Sequence, residues 1–156
     1  MQHRVKSNTW KWNFAAGFVP LTAGFVTLIT SAISKSNGSS SWNLILNKLD
    51  FSYHDIVVVS ENSGDFLDLI LSVSAVNIIT GAFSIIMISR YALKYQNKWA
   101  WWYMLVSLIW LGFLDTYSAY VFYAKTGTPL FIMPFAFCIL MALGLIKSRE
   151  IVLYQE

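Results

Sequence analysis

The chain has 156 residues, of which 56% are hydrophobic, 17% aromatic and only 12% charged, with a net charge of +3. A soluble domain carries about 25% charged residues, so a chain this poor in charge and rich in long apolar runs has lipid as its main solvent. Its positive groups gather near the ends of those runs rather than on one face, which argues against a nucleic-acid partner, and its single cysteine, Cys138, excludes an internal disulfide.

Residues 1–11 form a basic tail with Arg4, Lys6 and Lys11, and the first apolar run covers 12–33. Its small-residue ending, Thr30-Ser31-Ala32-Ile33-Ser34, resembles a cleavable leader. The apolar part, however, exceeds the ~7–15 residues of a leader core, so the run reads as a retained first helix. Pro20 bends it, and Gly17, Gly24, Thr27 and Thr30 offer a small, weakly polar packing face.

Residues 34–65 make the one sizeable region outside the membrane. Asn37-Gly38-Ser39-Ser40-Ser41 is a loop signal and contains a glycosylation sequon. Trp42, Ile45, Leu46 and Leu49 then recur at i, i+3, i+4 and i+7 behind a possible cap at Ser41. They form either a short helix on the membrane surface or a loop that covers the bundle. Ile56 to Val59 is a β-branched run too short to span. Asp50, Asp55, Glu61, Asp65 and Asp68 make the region acidic. His54, Asp55 and Glu61 lack the spacing of a metal site, and a solvated acidic loop is the better reading.

A second helix is predicted over 66–89, with Ser74, Asn77, Gly81 and Ser84 along one face. A short basic turn follows, with Arg90, Lys94 and Lys98, closed by Trp99, Trp101 and Trp102 as anchors at the membrane interface. The third helix covers 99–123. A turn at Lys125-Thr126-Gly127-Thr128-Pro129 leads into a fourth over 129–146, kinked by Pro134. The expected fold is all-α: four transmembrane helices in one compact antiparallel bundle, a single domain over 1–156. Arg4, Lys6, Lys11, Arg90, Lys94, Lys98, Lys147 and Arg149 fall on one side, against Lys35, Lys48 and Lys125 on the other. Basic residues favour the cytoplasmic side. Both termini are therefore expected in the cytoplasm, in a multi-pass protein of the cell membrane.

Asp115 stands inside the third apolar run, ten residues before Lys125. At ~1.5 Å per residue that is ~15 Å below the outer surface. A carboxyl there costs ~2.5–3.5 kcal/mol on insertion scales and usually faces the bundle with a partner. Depth places Asn77, Thr80 and Thr22 at the same level, so a polar layer with Asp115 is expected, its carboxyl protonated. No basic group and no second carboxylate stand at that depth, which favours a helix-packing role over a proton or cation site. Neither histidine, His3 or His54, lies at membrane depth. Haem or copper ligation is therefore not expected, nor is any other cofactor or metal. Trp110, Tyr117 and Tyr120 make the third helix aromatic around much of its girth, so several rings must point outward to a partner or to lipid.

Gly81, the basic turn from Arg90 to Lys98 and the Trp99-Ala100-Trp101 start of the third helix are similar to features of a loosely defined group of small prokaryotic four-helix membrane proteins. The resemblance covers about residues 50–125 and implies a compact four-helix fold, with no catalytic residues. The expected function is a non-catalytic accessory or structural subunit, packed against a larger membrane complex of the respiratory or copper monooxygenase type. Its partners would be other integral membrane subunits and lipid. The alternative is a small transporter or ligand-binding bundle organised around Asp115. An enzyme built on Asp115 with Cys138, or His54 with Asp55, has no motif behind it. The orientation is open to test in intact cells with an impermeant thiol reagent: Ser40→Cys should label and Asn97→Cys should not, and the reverse result would invert the topology.

Overall fold

The computed structural model describes residues 8–36, 46, 48 and 63–153. These are helical throughout their length apart from short turns, with no strand among the described residues. The elements are α1 (Trp10–Ser36), α2 (Ser63–Tyr91), a 3₁₀ turn (Leu93–Tyr95), α3 (Lys98–Ser107), a π-helical segment (Leu108–Leu114), α4 (Asp115–Thr126) and α5 (Ile132–Leu153). The run from α3 through α4 is continuous, Lys98–Thr126, and is called span 3 below. Three helices are long and apolar enough to cross a membrane: α1, α2 and span 3. Their outward faces carry large apolar side chains such as Ile29, Ile33, Leu69, Val73 and Phe113. Water makes such continuous surfaces costly, whereas lipid does not.

The first three helices outrun the predicted stretches by a residue or more at each end, and the fourth begins at Ile132 rather than 129 but runs further at its C-terminal end. Hydropathy marks the lipid-immersed part, but the backbone goes on pairing its own polar groups for another turn. The extension is largest in α5, whose Lys147–Leu153 tail remains helical beyond the expected end at 146. Of the expectations for the 34–65 loop, the short helix, the sequon, the Ile56–Val59 segment and the His54, Asp55 and Glu61 grouping lie outside the described residues. Lys48 is described, and its Nζ donates to Thr128 Oγ1 at 2.9 Å, in the turn after α4. Gly127 ends α4 in the left-handed region at φ 68°, its N–H bonded to the Tyr123 carbonyl at 2.7 Å.

The closest contact in the bundle is between α1 and α2. Trp10, Gly17, Gly24 and Ser31 stand seven residues apart and are all buried, as are Asp68, Ala75, Ala82 and Ser89 on α2. A Cβ on Gly24 would stand 2.6 Å from Ile79 Cγ1 and 3.1 Å from the Ala75 carbonyl oxygen; one on Gly17 would meet Ile86, Ile85 and the Ala82 carbonyl. The two helices are therefore antiparallel and nearly backbone to backbone, the geometry that small residues permit in membranes. This corrects the face expected for α2. Ser74 and Asn77 are exposed, and the packing column runs through Ala75 and Ala82 instead. The Ser74 and Ser84 hydroxyls donate to carbonyls of their own helix, at Ile70 and Thr80, so they need no neighbour.

α5 fits between α1 and span 3 and is the most enclosed helix, burying Phe137, Cys138, Met141, Gly144, Leu145, Ser148 and Val152. Pro134 does not kink it. As the third residue of α5 it occupies the first turn, where its missing N–H would have had no intrahelical acceptor. The Asn13 amide of α1 fills the notch that a Cβ on Gly144 would need. At this same end the cations sit over indoles. Arg90 and Lys94 lie 5.3 Å and 5.6 Å from the Trp10 ring, and Lys147 lies 4.4 Å from the Trp12 ring. The start of α1, the basic turn and the end of α5 thus meet at one pole of the molecule. A thermal-unfolding series on purified protein tests the packing: Gly24→Val should cost ~1–3 kcal/mol by overpacking. Gly81→Ala, whose Cβ would meet only Leu111 at 3.4 Å, should gain ~0.5–1 kcal/mol from helix propensity.

Candidate functional site

Span 3 is irregular where it matters. The π-helical turns of Leu108–Leu114 interrupt the α-helical spacing and rotate whatever follows around the helix axis. Within them Gly112 lies buried against α5, where a Cβ would stand 2.8 Å from Cys138 Sγ. Asp115 comes immediately after, its N–H bonded to the Gly112 carbonyl. One residue on, Thr116 Oγ1 lies 3.6 Å from Cys138 Sγ. Gly112 and Thr116 therefore pin this part of span 3 to α5, and Asp115 is placed beside the pinned seam.

There Asp115 borders two adjoining hollows. The deeper, about 60 Å³, is closed by Val19, Pro20 and Ala23 of α1, Ile78 of α2, Leu111, and Met133, Pro134 and Phe137 of α5. The wider, about 480 Å³, opens sideways between α1 and α4. Val26 and Thr27 form one wall, Ala119 and Phe122 the other, with Leu130, Met133 and Pro134 behind. Ala23, Asp115, Met133 and Pro134 border both, so the two make one cleft, with the exposed Asp115 where they join. Among the described residues the Asp115 side chain has no hydrogen-bond or ion-pair partner. Pro20 adds a second local irregularity: lacking an N–H, it leaves the Ala16 carbonyl without its usual helical donor.

The structure does not assemble the polar layer expected around Asp115. Thr22 and Thr80 are exposed, and their hydroxyls donate to Phe18 and Val76 carbonyls at 2.8 Å and 2.9 Å, within their own helices. Asn77 is exposed on the side of α2 turned away from the Ala75 and Ala82 column. Equal depth brought these residues to one level but not to one face. The interfacial anchors divide as well. Trp99 and Trp102 are exposed, Lys98 is exposed, and Arg90 and Lys94 grip Trp10. Trp101 is instead a core residue, 8% exposed, whose Nε1 donates to the Leu145 carbonyl at 3.2 Å. Trp110, Tyr117 and Tyr120 all point outward, with Trp110 70% exposed.

Two polar side chains escaped the sequence reading. Asn13 and Ser89 are fully buried, and their side-chain polar atoms have no partner among the described residues. Asn13 was legible as the one amide inside the first apolar run, a residue past Trp12 where an interfacial position looked sufficient. Among the described residues no three His, Cys, Asp or Glu side chains converge as metal ligands do. No protein-family model matches the chain, and no curated protein or solved structure matches it either. What the site can do rests on its own chemistry: one carboxylate, a threonine hydroxyl and apolar walls.

A carboxylate that holds the helices together and one that only lines a cleft respond differently to an apolar substitution. Since Asp115 has no partner to lose, Asp115→Leu should leave the thermal midpoint of the purified protein unchanged or raise it. A fall as large as that of Gly24→Val would show a packing role.

Proposed function

We propose that the chain is a non-catalytic, multi-pass protein of the cell membrane, an accessory subunit that packs through span 3 against a larger membrane complex. One observation carries this reading. Trp99, Trp102, Trp110, Phe113, Tyr117 and Tyr120 follow one another at steps of three, four or eight, and every one is exposed. The rings line the outer side of span 3 both before and after its π-helical turns, exposed rather than packed on the other helices of the chain. Interfacial anchoring accounts for Trp99 and Trp102 near the basic turn. It does not account for Trp110, whose indole N–H finds no acceptor among lipid tails. A neighbouring subunit supplies one.

In this reading α5 is the fourth span, uncharged from Ile132 to Ile146. The pole where α1 begins and α5 ends carries the basic turn and lies in the cytoplasm. The host is a complex that employs small helical subunits, of the respiratory or copper monooxygenase type. The likeness to small prokaryotic four-helix membrane proteins belongs to the same proposal. A second reading, a ligand-binding or transporting bundle organised around Asp115, is favoured by the cleft, which the accessory role leaves without a task.

Gentle solubilisation from native membranes, native gel separation and mass spectrometry test the first reading. The 17.7 kDa chain should migrate with other membrane subunits at fixed stoichiometry. Joint substitution of Trp110 and Tyr117 by Leu should release it without lowering its thermal midpoint. A lone monomer in several mild detergents would overturn the accessory role.

A further inference from the structure

We infer that the cleft at Asp115 binds a lipophilic organic cation, a quaternary ammonium or phosphonium compound or a protonated amine with apolar substituents. The inference rests on the second reading above and gives it a ligand class. The wider hollow, about 480 Å³, falls within the ~300–1,000 Å³ typical of small-molecule sites. Its walls are mostly apolar side chains from α1, α4 and α5, and among the described residues Asp115 is the one ionisable group lining it.

Charge and solvation together select the ligand. Among the described residues no Lys or Arg lines either hollow, so the charge that complements the carboxylate comes with the occupant. A small hard cation is a poor occupant. Ca²⁺ takes six to eight oxygen ligands and Mg²⁺ keeps close to six, whereas the cleft offers the two carboxylate oxygens and the hydroxyl of Thr27. Such an ion would shed water for too few replacements. A large cation with its charge spread beneath alkyl or aryl groups is weakly hydrated, and its substituents gain by leaving water for apolar walls. Phe122 in the lining adds an aromatic ring, a group that attracts cations. Ala23 and Ala119, on opposite sides, keep the opening clear. The sideways mouth between α1 and α4 would admit such an amphiphile from the lipid phase, where compounds of this class concentrate.

The test is equilibrium binding of radiolabelled tetraphenylphosphonium to the full-length protein in lipid nanodiscs, with tetraphenylborate as the anion of similar shape. The protein should bind the phosphonium saturably above empty nanodiscs and show no saturable site for the borate. Asp115→Asn, which keeps the size of the side chain, should weaken phosphonium binding at least tenfold. Ala119→Trp, which fills the cleft and leaves the carboxylate in place, should abolish it. Both variants are checked by thermal midpoint, and only those that melt as the parent does are scored. If Ala119→Trp abolishes binding and Asp115→Asn does not, the cleft is a ligand site but its cation class is wrong. No saturable binding by the parent protein, or binding indifferent to both substitutions, overturns the cleft reading itself.

Discussion

The bundle depends on how closely α1 and α2 approach. Lipid tails are as apolar as leucine, so two membrane helices gain little by merely hiding hydrophobic surface from one another; close van der Waals contact has to hold them. Gly17 and Gly24 provide it, since without a Cβ they let Ile85, Ile86 and Ile79 and the Ala75 and Ala82 carbonyls of α2 pack directly against the backbone of α1. The seven-residue repeat keeps the seam on one side of each helix along its whole length. With α2 committed to α1, the remaining faces of α1 are left for α5, and span 3 is held by α5 more than by any other helix. That unequal arrangement leaves span 3 with an unpartnered aromatic flank and a gap between its second half and α1.

The pole of the molecule that carries the basic turn is fastened by different physics. A cation above an indole is worth ~0.5–2 kcal/mol according to how well water is excluded. Trp10 takes one cation from the last turn of α2 and one from the 3₁₀ turn after it, and Trp12 takes one from α5. Three chain segments distant in sequence are thereby drawn together by residues that hydropathy alone would assign to the membrane surface. Trp101 contributes from the core side, through its hydrogen bond to Leu145. The same residue types thus serve as anchor and as fastener, and only their neighbours distinguish the two.

The existence and order of the helices were legible because a bilayer leaves few options: long apolar runs must be helices, and their ends attract basic and aromatic residues. The α1 glycines were legible for the same reason, as small residues where helices must touch. Faces were harder. On α2, Ser74, Asn77, Gly81 and Ser84 imitate a packing stripe, yet a hydroxyl that bonds its own helix is content to face lipid, and Ala75 and Ala82 are inconspicuous in an apolar sequence. The depth of Asp115 followed from counting residues. Its neighbours did not, because the π-helical turns just before it change the phase of the helix, and periodicity computed at a constant 3.6 residues cannot register that change. Trp101 and Trp102 are adjacent and alike, and one is buried while the other is not.

The Asn13 amide seated in the notch of Gly144 bears on the order in which the molecule is put together. Its two halves are contributed by α1 and α5, so synthesis completes the socket only after α2 and span 3 have been made. Until α5 arrives, Asn13 has no notch to occupy, and the α1–α2 hairpin stands on its small-residue seam and on the cations over Trp10. Those are the contacts on which α1 and α2 rely before α5 is in place. α5 supplies the place that α1 has been holding open.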